Sequence, residues 1–509
     1  MTFDTTSEIS KKINKIVIVG GGTAGWMTAA AFSNRIPNSH CKIILIESEQ
    51  IATVGVGEST IPHIRQFNEV LGISETEFIQ ATNATFKLGI QFCNWGRLGD
   101  DYIHPFGEVG ELTQGIDFHH YWLRSKELGL PYNFEDFSLM AKAGRQGLFP
   151  KAETLKETKF SDYAYSYHID ATAYAKFLRN YAEKKGVERI EGKVIDVLQH
   201  ENGNIKAVDL ENNHLIDGDI FIDCTGFSGL LIDKTLNSEF ISWADWLPTN
   251  RAVVVQSERA GPIIPMTTAT AHSAGWQWSI PLQHRMGNGH VYASDYMSDE
   301  QAKKILLENI SEPLVTEPRF LSFEAGVRTK TWSNNCVAIG LSSGFLEPLE
   351  STSIYLIQYG IFKFLEYLPS SMAMSAEREQ YNQEVKSVYE TIRDFIILHY
   401  HVNQRTDSKF WIRQREMSIP ESLERKLGLF AESGRLDLGQ FGVWPSVCLG
   451  QNLAPKYYDS RLNCIGKEQL SQFLKQQKML VDNALNQLPS VEQYLSMITV
   501  DFNNFVRGE

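Results

Sequence analysis

A β-branched run, Lys15-Ile-Val-Ile-Val19, passes straight into Gly20-Gly-Gly-Thr-Ala-Gly25, and an apolar, alanine-rich stretch follows from Trp26 to Phe32. A second apolar run, Lys42-Ile-Ile-Leu-Ile-Glu47, comes next. Strand, glycine turn, helix and strand make a βαβ unit, which requires a parallel sheet. Further strand-like pieces occur at Gly192 to Leu198, Asp219 to Asp223 and Cys336 to Ile339. The last two are apolar runs that end in glycine turns, Thr225-Gly226 and Gly340, as suits buried parallel strands whose carboxyl ends face a ligand. Between about 250 and 295 the pattern changes to antiparallel alternation, at Ala252–Gln256, Gly275–Pro281 and His290–Ala293. From about residue 355 it becomes helical. Ala376 to His401 places Val385, Val388, Ile392, Phe395 and Ile396 at helical spacing, and Lys467 to Leu495 reads likewise with a break at Pro489. No internal repeat stands out.

Composition narrows the class. The chain has 509 residues, 43% hydrophobic and 21% charged, which fits a globular protein of more than one unit and excludes disordered, collagen-like and coiled-coil classes. A net charge of −13 repels nucleic-acid backbones and anionic membranes. The six cysteines, Cys41, Cys93, Cys224, Cys336, Cys448 and Cys464, include no C-x-x-C pair, so reduced thiols are expected rather than a disulfide frame or a zinc site. The first residues lack a signal-peptide layout, and the uncharged stretch Ile16 to Asn34 holds too many glycines and hydroxyls near its centre for a spanning helix. A cytoplasmic protein without a membrane segment is expected.

Gly20, Gly22 and Gly25 form G-x-G-x-x-G between a strand and a helix. Such glycines permit a tight turn and close approach to a pyrophosphate at the helix N-terminus, although the same turn could simply pack helix on strand. Glu47 closes the second strand 22 residues after Gly25, where a carboxylate accepts from a ribose hydroxyl. An acid there favours FAD or NAD over NADP. Gly287-Asn-Gly289 lacks a flanking strand and helix, so one dinucleotide is expected. If it is FAD, its electrons come from another protein.

Five further motifs set the class: Gly55-Val-Gly-Glu-Ser-Thr60 with Ile61-Pro62; Phe86-Lys87 before Ile90-Gln-Phe-Cys-Asn-Trp95; His104-Pro-Phe-Gly107; Trp276-Gln-Trp-Ser-Ile-Pro281; and Glu347-Pro-Leu-Glu-Ser-Thr352. Together, in order from residue 15 to about 360, they resemble the flavin-dependent halogenases of the tryptophan halogenase family. The resemblance implies an α/β fold: a Rossmann-like FAD-binding module of the flavin monooxygenase type (1–105, 160–235 and 320–365), an inserted sheet region (236–319) and a helical substrate-binding part (366–509). It implies that FADH2 from a separate NAD(P)H-dependent flavin reductase reacts with dioxygen to a C4a-hydroperoxide. Chloride or bromide then gives hypohalous acid, which travels inside the protein to an electron-rich aromatic substrate.

The resemblance also assigns residues. Lys87 matches the essential lysine, which either hydrogen-bonds hypohalous acid or forms a haloamine; on its own it would read as a lysine snorkelling out of an apolar stretch. Glu350 matches the glutamate that stabilises the arenium cation and takes its proton, with Glu347 as the competing candidate, otherwise a substrate neighbour or a helix-end charge. Lys87 and Glu350 are expected at the far end of an internal passage from the flavin. Thr352 and Ser353 match positions whose amides hold halide, with Ser353 replacing the usual glycine. Trp276 and Trp278, two apart on a strand, share one face and match a wall beside the flavin, or serve as core tryptophans. His104 and Phe106 match pocket residues that stack on an indole. For FAD the resemblance carries onto Gly20, Gly21, Gly22, Ala24, Gly25, Glu47, Ser48, Glu58, Val194, Leu341 and Ile354. The adjacent His119 and His120 are discounted as metal ligands, and Asp170 is read as structural.

The stretch Phe441 to Tyr458 matches no known contacts to the amine and carboxylate of free tryptophan, so indole, tryptophan or a tryptophan inside a larger molecule remain as substrates. A homodimer is the base-rate expectation. The leading alternatives are a flavin monooxygenase that hydroxylates an arene and an idle FAD-binding scaffold.

Overall fold

A computed structural model describes residues 12–50, 57–150, 155–156, 158–160, 163–372, 374–436 and 444–507. Gly55 and Val56 of the first motif, and residues 441–443 of the C-terminal stretch, lie outside them. The chain forms two compact units, each assembled from three segments. The first comprises Met1–Thr82, Ile169–Pro248 and Phe323–Glu390; the second comprises Asn83–His168, Thr249–Ser322 and Thr391–Glu509.

In the first unit a six-stranded sheet runs in the order Trp332–Ser333, Cys336–Ala338, Ile220–Asp223, Lys15–Val19, Lys42–Glu47, Glu188–Glu191. All neighbours are parallel except the first pair. The two apolar runs ending in glycine turns are both buried parallel strands of this sheet, Ile220–Asp223 beside the first strand and Cys336–Ala338 beside Ile220–Asp223. Helix Thr23–Arg35 buries every residue from Gly25 to Phe32, and Phe32 stacks on Phe364 at 5.3 Å. The uncharged stretch from Ile16 is therefore a core strand followed by a covered helix. Among the described residues no helix is long and apolar enough to cross a membrane. Strand Val194–Gln199 starts two residues later than the sequence suggested and belongs to a separate antiparallel sheet with Ile205–Leu210 and Leu215–Asp217. Asp170 caps helix Ala171–Lys184, accepting from the amides of Thr172 and Ala173, which is the structural role its position suggested.

The second unit is built on a seven-stranded sheet in the order Arg319–Ser322, Arg251–Ser257, Met286–Tyr292, Gly275–Pro281, Thr267–His272, Gly89–Cys93, Asp101–Pro105. The antiparallel region expected between 250 and 295 forms its centre. Pro489 separates helices Lys467–Leu485 and Val491–Arg507, since a proline lacks the amide a helix interior requires. Leu470 and Leu474 of the former pack with Phe118, Tyr121 and Phe137. The rings of His119 and His120 meet at 4.2 Å, tilted by 35°, and the His119 Nε2 lies 2.6 Å from the Gly434 carbonyl oxygen. Among the described residues no group of three or more His, Cys, Asp or Glu is arranged to hold a metal.

Candidate functional site

The carboxyl ends of the parallel strands form a crevice in the first unit. Gly20 takes a left-handed φ of 111°, and a β-carbon there would lie 2.3 Å from the Cys224 carbonyl oxygen, so glycine is what lets these two strand ends meet. A β-carbon on Gly21 would fall 1.7 Å from Glu47 Oε2, which shows how tightly the acid folds over the turn. Above Gly22 the space is open. Helix Thr23–Arg35 has no side-chain cap and no acid in its first turn, so its leading amides face that space, as a pyrophosphate requires. Glu47 accepts from Trp26 Nε1 at 3.2 Å, Arg189 Nε at 2.5 Å and Arg179 Nη1 at 3.4 Å. A carboxylate has about four acceptor positions, so one is left for a ribose hydroxyl. Gly340 abuts Ala24, which brings Leu341 to the same crevice, and the Gly192 amide donates to the Glu47 carbonyl, which brings the segment of Val194 alongside. Ser48, half-buried, follows Glu47 directly. These residues fit an ADP-bearing cofactor.

A second cluster in the same unit surrounds the Glu347–Ile354 turn. Pro348 opens a single 3-10 turn, Pro348–Glu350, and Ser351 ends it at φ 60°, ψ 35°, a left-handed conformation uncommon outside glycine. Ser351 is held there by a 3.0 Å hydrogen bond between its Oγ and Ser59 Oγ, so strand Glu58–Ser59 reaches the turn too. Thr352 returns to right-handed space (φ −91°, ψ −5°) and leads into helix Ser353–Glu366. Left-handed followed by right-handed residues form a concave nest of amides suited to an anion. The side chains of Glu347 and Glu350 are both buried, Glu350 with 4% exposure. Ile354, buried, occupies the first turn of the helix. Burial alone raises the Glu58 carboxyl to about 7.

Lys87, His104 and Phe106 come together in the second unit. Lys87 ends the three-residue strand Thr85–Lys87 with no solvent exposure, and its ammonium sits 5.1 Å over the Phe106 ring. Alternation along the strand sends Phe86 to the other side, stacked on Phe149 at 3.7 Å. The backbone is locked on both flanks, since the Leu88 amide donates to Pro265 and the Phe106 amide to Leu88. His104 is paired with Ile90 on the adjoining hairpin. Thr85 pairs with His168, whose ring nitrogens meet Thr85 Oγ1 at 3.2 Å and Thr267 Oγ1 at 2.9 Å. Burial, with Lys87 nearby, holds His168 well below its ordinary pKa, so the lysine has a neutral neighbour.

Trp276 and Trp278 lie on one face of strand Gly275–Pro281 with rings 5.9 Å apart, and neither indole Nε1 has a hydrogen-bond partner. Sequence reasoning missed the aromatic backing of His104. Phe395 meets His104 at 5.4 Å and stacks on Trp444 at 5.1 Å. Phe395 falls in the apolar stripe of its helix, and periodicity does not reveal which distant side chain a buried residue packs against.

Three comparisons bear on this arrangement. The family model described as tryptophan halogenase matches residues 15–467. The chain is 37% identical over 440 residues to the 7-chloro-L-tryptophan 6-halogenase KtzR of Kutzneria sp. (strain 744), covering 81% of this chain and 84% of that protein. Among solved structures it is similar to Xcc4156, a flavin-dependent halogenase from Xanthomonas campestris, and to BrvH, a flavin-dependent halogenase from Brevundimonas sp. BAL3. Each superposes with a TM-score of 0.92 and 40% identity over 96% of this chain and 99% of the other.

Proposed function

The chain belongs to the tryptophan halogenase family, and from that membership we propose that it halogenates an indole-type arene by electrophilic substitution, with Lys87 and Glu350 directing the reaction. Family membership makes it a flavin-dependent halogenase, an enzyme that uses FAD and halide, rather than a hydroxylating monooxygenase. Reduced FAD, supplied by a separate NAD(P)H-dependent reductase, provides with dioxygen the oxidising power that turns chloride or bromide into hypohalous acid.

Gly20, Gly21, Gly22, Ala24 and Gly25 hold the pyrophosphate, and Glu47 with Ser48 the ribose. Glu58, Val194, Leu341 and Ile354 complete the cofactor's surroundings. The amides of Thr352 and Ser353 take the halide. Trp276 and Trp278 wall the organic substrate off from the flavin. His104 and Phe106 hold the arene, with Glu347 beside it. Lys87 donates a hydrogen bond to hypohalous acid and so polarises the O–halogen bond toward the ring. Attack by the ring carbon on the halogen breaks the O–halogen bond and releases hydroxide, which Lys87 protonates to water; the positive charge left on the arene is stabilised by the Glu350 carboxylate, which then accepts the displaced ring proton.

The observation that carries this reading is Lys87 itself, a lysine with no solvent exposure fixed on a three-residue strand over an aromatic ring. A lysine taken out of water this completely, on a fixed strand beside an aromatic ring, marks a candidate for chemistry. The names of relatives that act on tryptophan support the indole class. A test combines the protein with FAD, a flavin reductase, NADH and bromide. Indole, tryptophan and a tryptophan-containing peptide are each offered as substrate, with products read by mass spectrometry. A bromide-dependent gain of one bromine on at least one indole is expected. Products hydroxylated but never brominated would overturn the reading.

A further inference from the structure

We infer that the hydroxyl of Thr352 is a halide ligand in its own right, a side-chain donor that adds to the amides of the Thr352–Ser353 turn and sets halide affinity. The inference rests on the proposed halide role of that turn. A threonine just before a helix ordinarily turns its oxygen onto an amide of the first turn, which needs extended backbone at the capping position. Thr352 instead has φ −91°, ψ −5°, and helix Ser353–Glu366 has no side-chain cap. The hydroxyl is thereby freed from its usual task. It is 98% buried, with 2% exposure, yet its Oγ1 has no hydrogen-bond partner. A buried hydroxyl left unmatched is unfavourable and is rare in folded proteins.

The surroundings define the missing partner as an anion. Ser351, left-handed, and Thr352, right-handed, turn successive amides toward a common side. No acid occupies the first turn of the following helix, whose amide end is positive. A hydroxyl both accepts and donates; beside an anion it donates, and a hydrogen bond to a charged partner is stronger than one to a neutral partner. The methyl group of the same side chain leaves the hydroxyl few rotamers, so the donor is pre-aimed.

The experiment uses the FAD-loaded protein and the variants Thr352→Val and Thr352→Ser. Valine keeps the shape and the amide but lacks the hydroxyl; serine restores it. Halide binding is read from the excess chloride-35 NMR linewidth and its displacement by bromide, alongside the KM for bromide and kcat. Thr352→Val is expected to weaken halide binding about tenfold and to raise KM far more than it lowers kcat, with FAD affinity unchanged, while Thr352→Ser stays within about threefold of wild type. Unchanged linewidths and KM in Thr352→Val would overturn the inference, as would equal losses in KM, kcat and FAD affinity, which mark a structural role. If the wild-type protein shows no saturable halide dependence, the proposed function itself falls.

Discussion

Glu58 shows how one position couples burial to pH. Its carboxyl is raised to about 7 by loss of hydration, so around neutrality the folded protein binds a proton that the unfolded chain has already released. Stability therefore falls as pH rises from the ordinary carboxylate range through about 7. Glu58→Gln removes that dependence. Its apparent Tm, relative to wild type, is expected to be higher at pH 8 than at pH 5, by a margin corresponding to roughly 1–3 kcal/mol. Thermal unfolding at the two pH values checks this; a difference that is flat or reversed would contradict the burial argument. Single residues also mark the limit of what sequence reveals. Lys87 and Glu350 can be proposed from the sequence because their motifs are distinctive. Ser351 and Thr352 stood in the same motif, yet the left-handed turn and the idle hydroxyl follow from the path of the backbone, held by Ser59 nearly three hundred positions away. No local pattern encodes that.

Elements were more readable than residues, and the reason is periodicity. The first βαβ unit, the two apolar strands ending at Asp223 and Ala338, the antiparallel region and the proline break all produce patterns with a fixed repeat. Pairing between distant segments does not, so the strand from Val194 was placed without its antiparallel sheet. Of the glycines at 287 and 289, an imperfect dinucleotide motif by sequence, Gly289 has a packing role that only sheet register exposes. Gly289 faces Trp278 across the strand pair, and a β-carbon on it would lie 2.1 Å from the indole. Gly289→Ala must therefore displace Trp278. It is expected to cost about 1–3 kcal/mol and to alter the near-UV circular dichroism of the tryptophans. Wild-type stability together with an unchanged spectrum would show that the strand pair yields instead.

At the scale of the whole molecule the proposed chemistry draws on both units. The dinucleotide crevice, Glu350 and the halide turn belong to the first, while Lys87, His104, Phe106 and the tryptophan pair belong to the second. Lys87 thus lies in a different unit from the glycine turn and Glu47, whereas Glu350 shares theirs. The family likeness spans both units, from residue 15 to 467, as expected if neither acts alone. The most direct measurement is the initial rate of indole bromination by Lys87→Met, which removes the ammonium while roughly keeping its length, at matched FAD occupancy. The account predicts a loss of at least about a hundredfold with FAD affinity within twofold of wild type. Bromination at the wild-type rate, or an emptied flavin site, would contradict it.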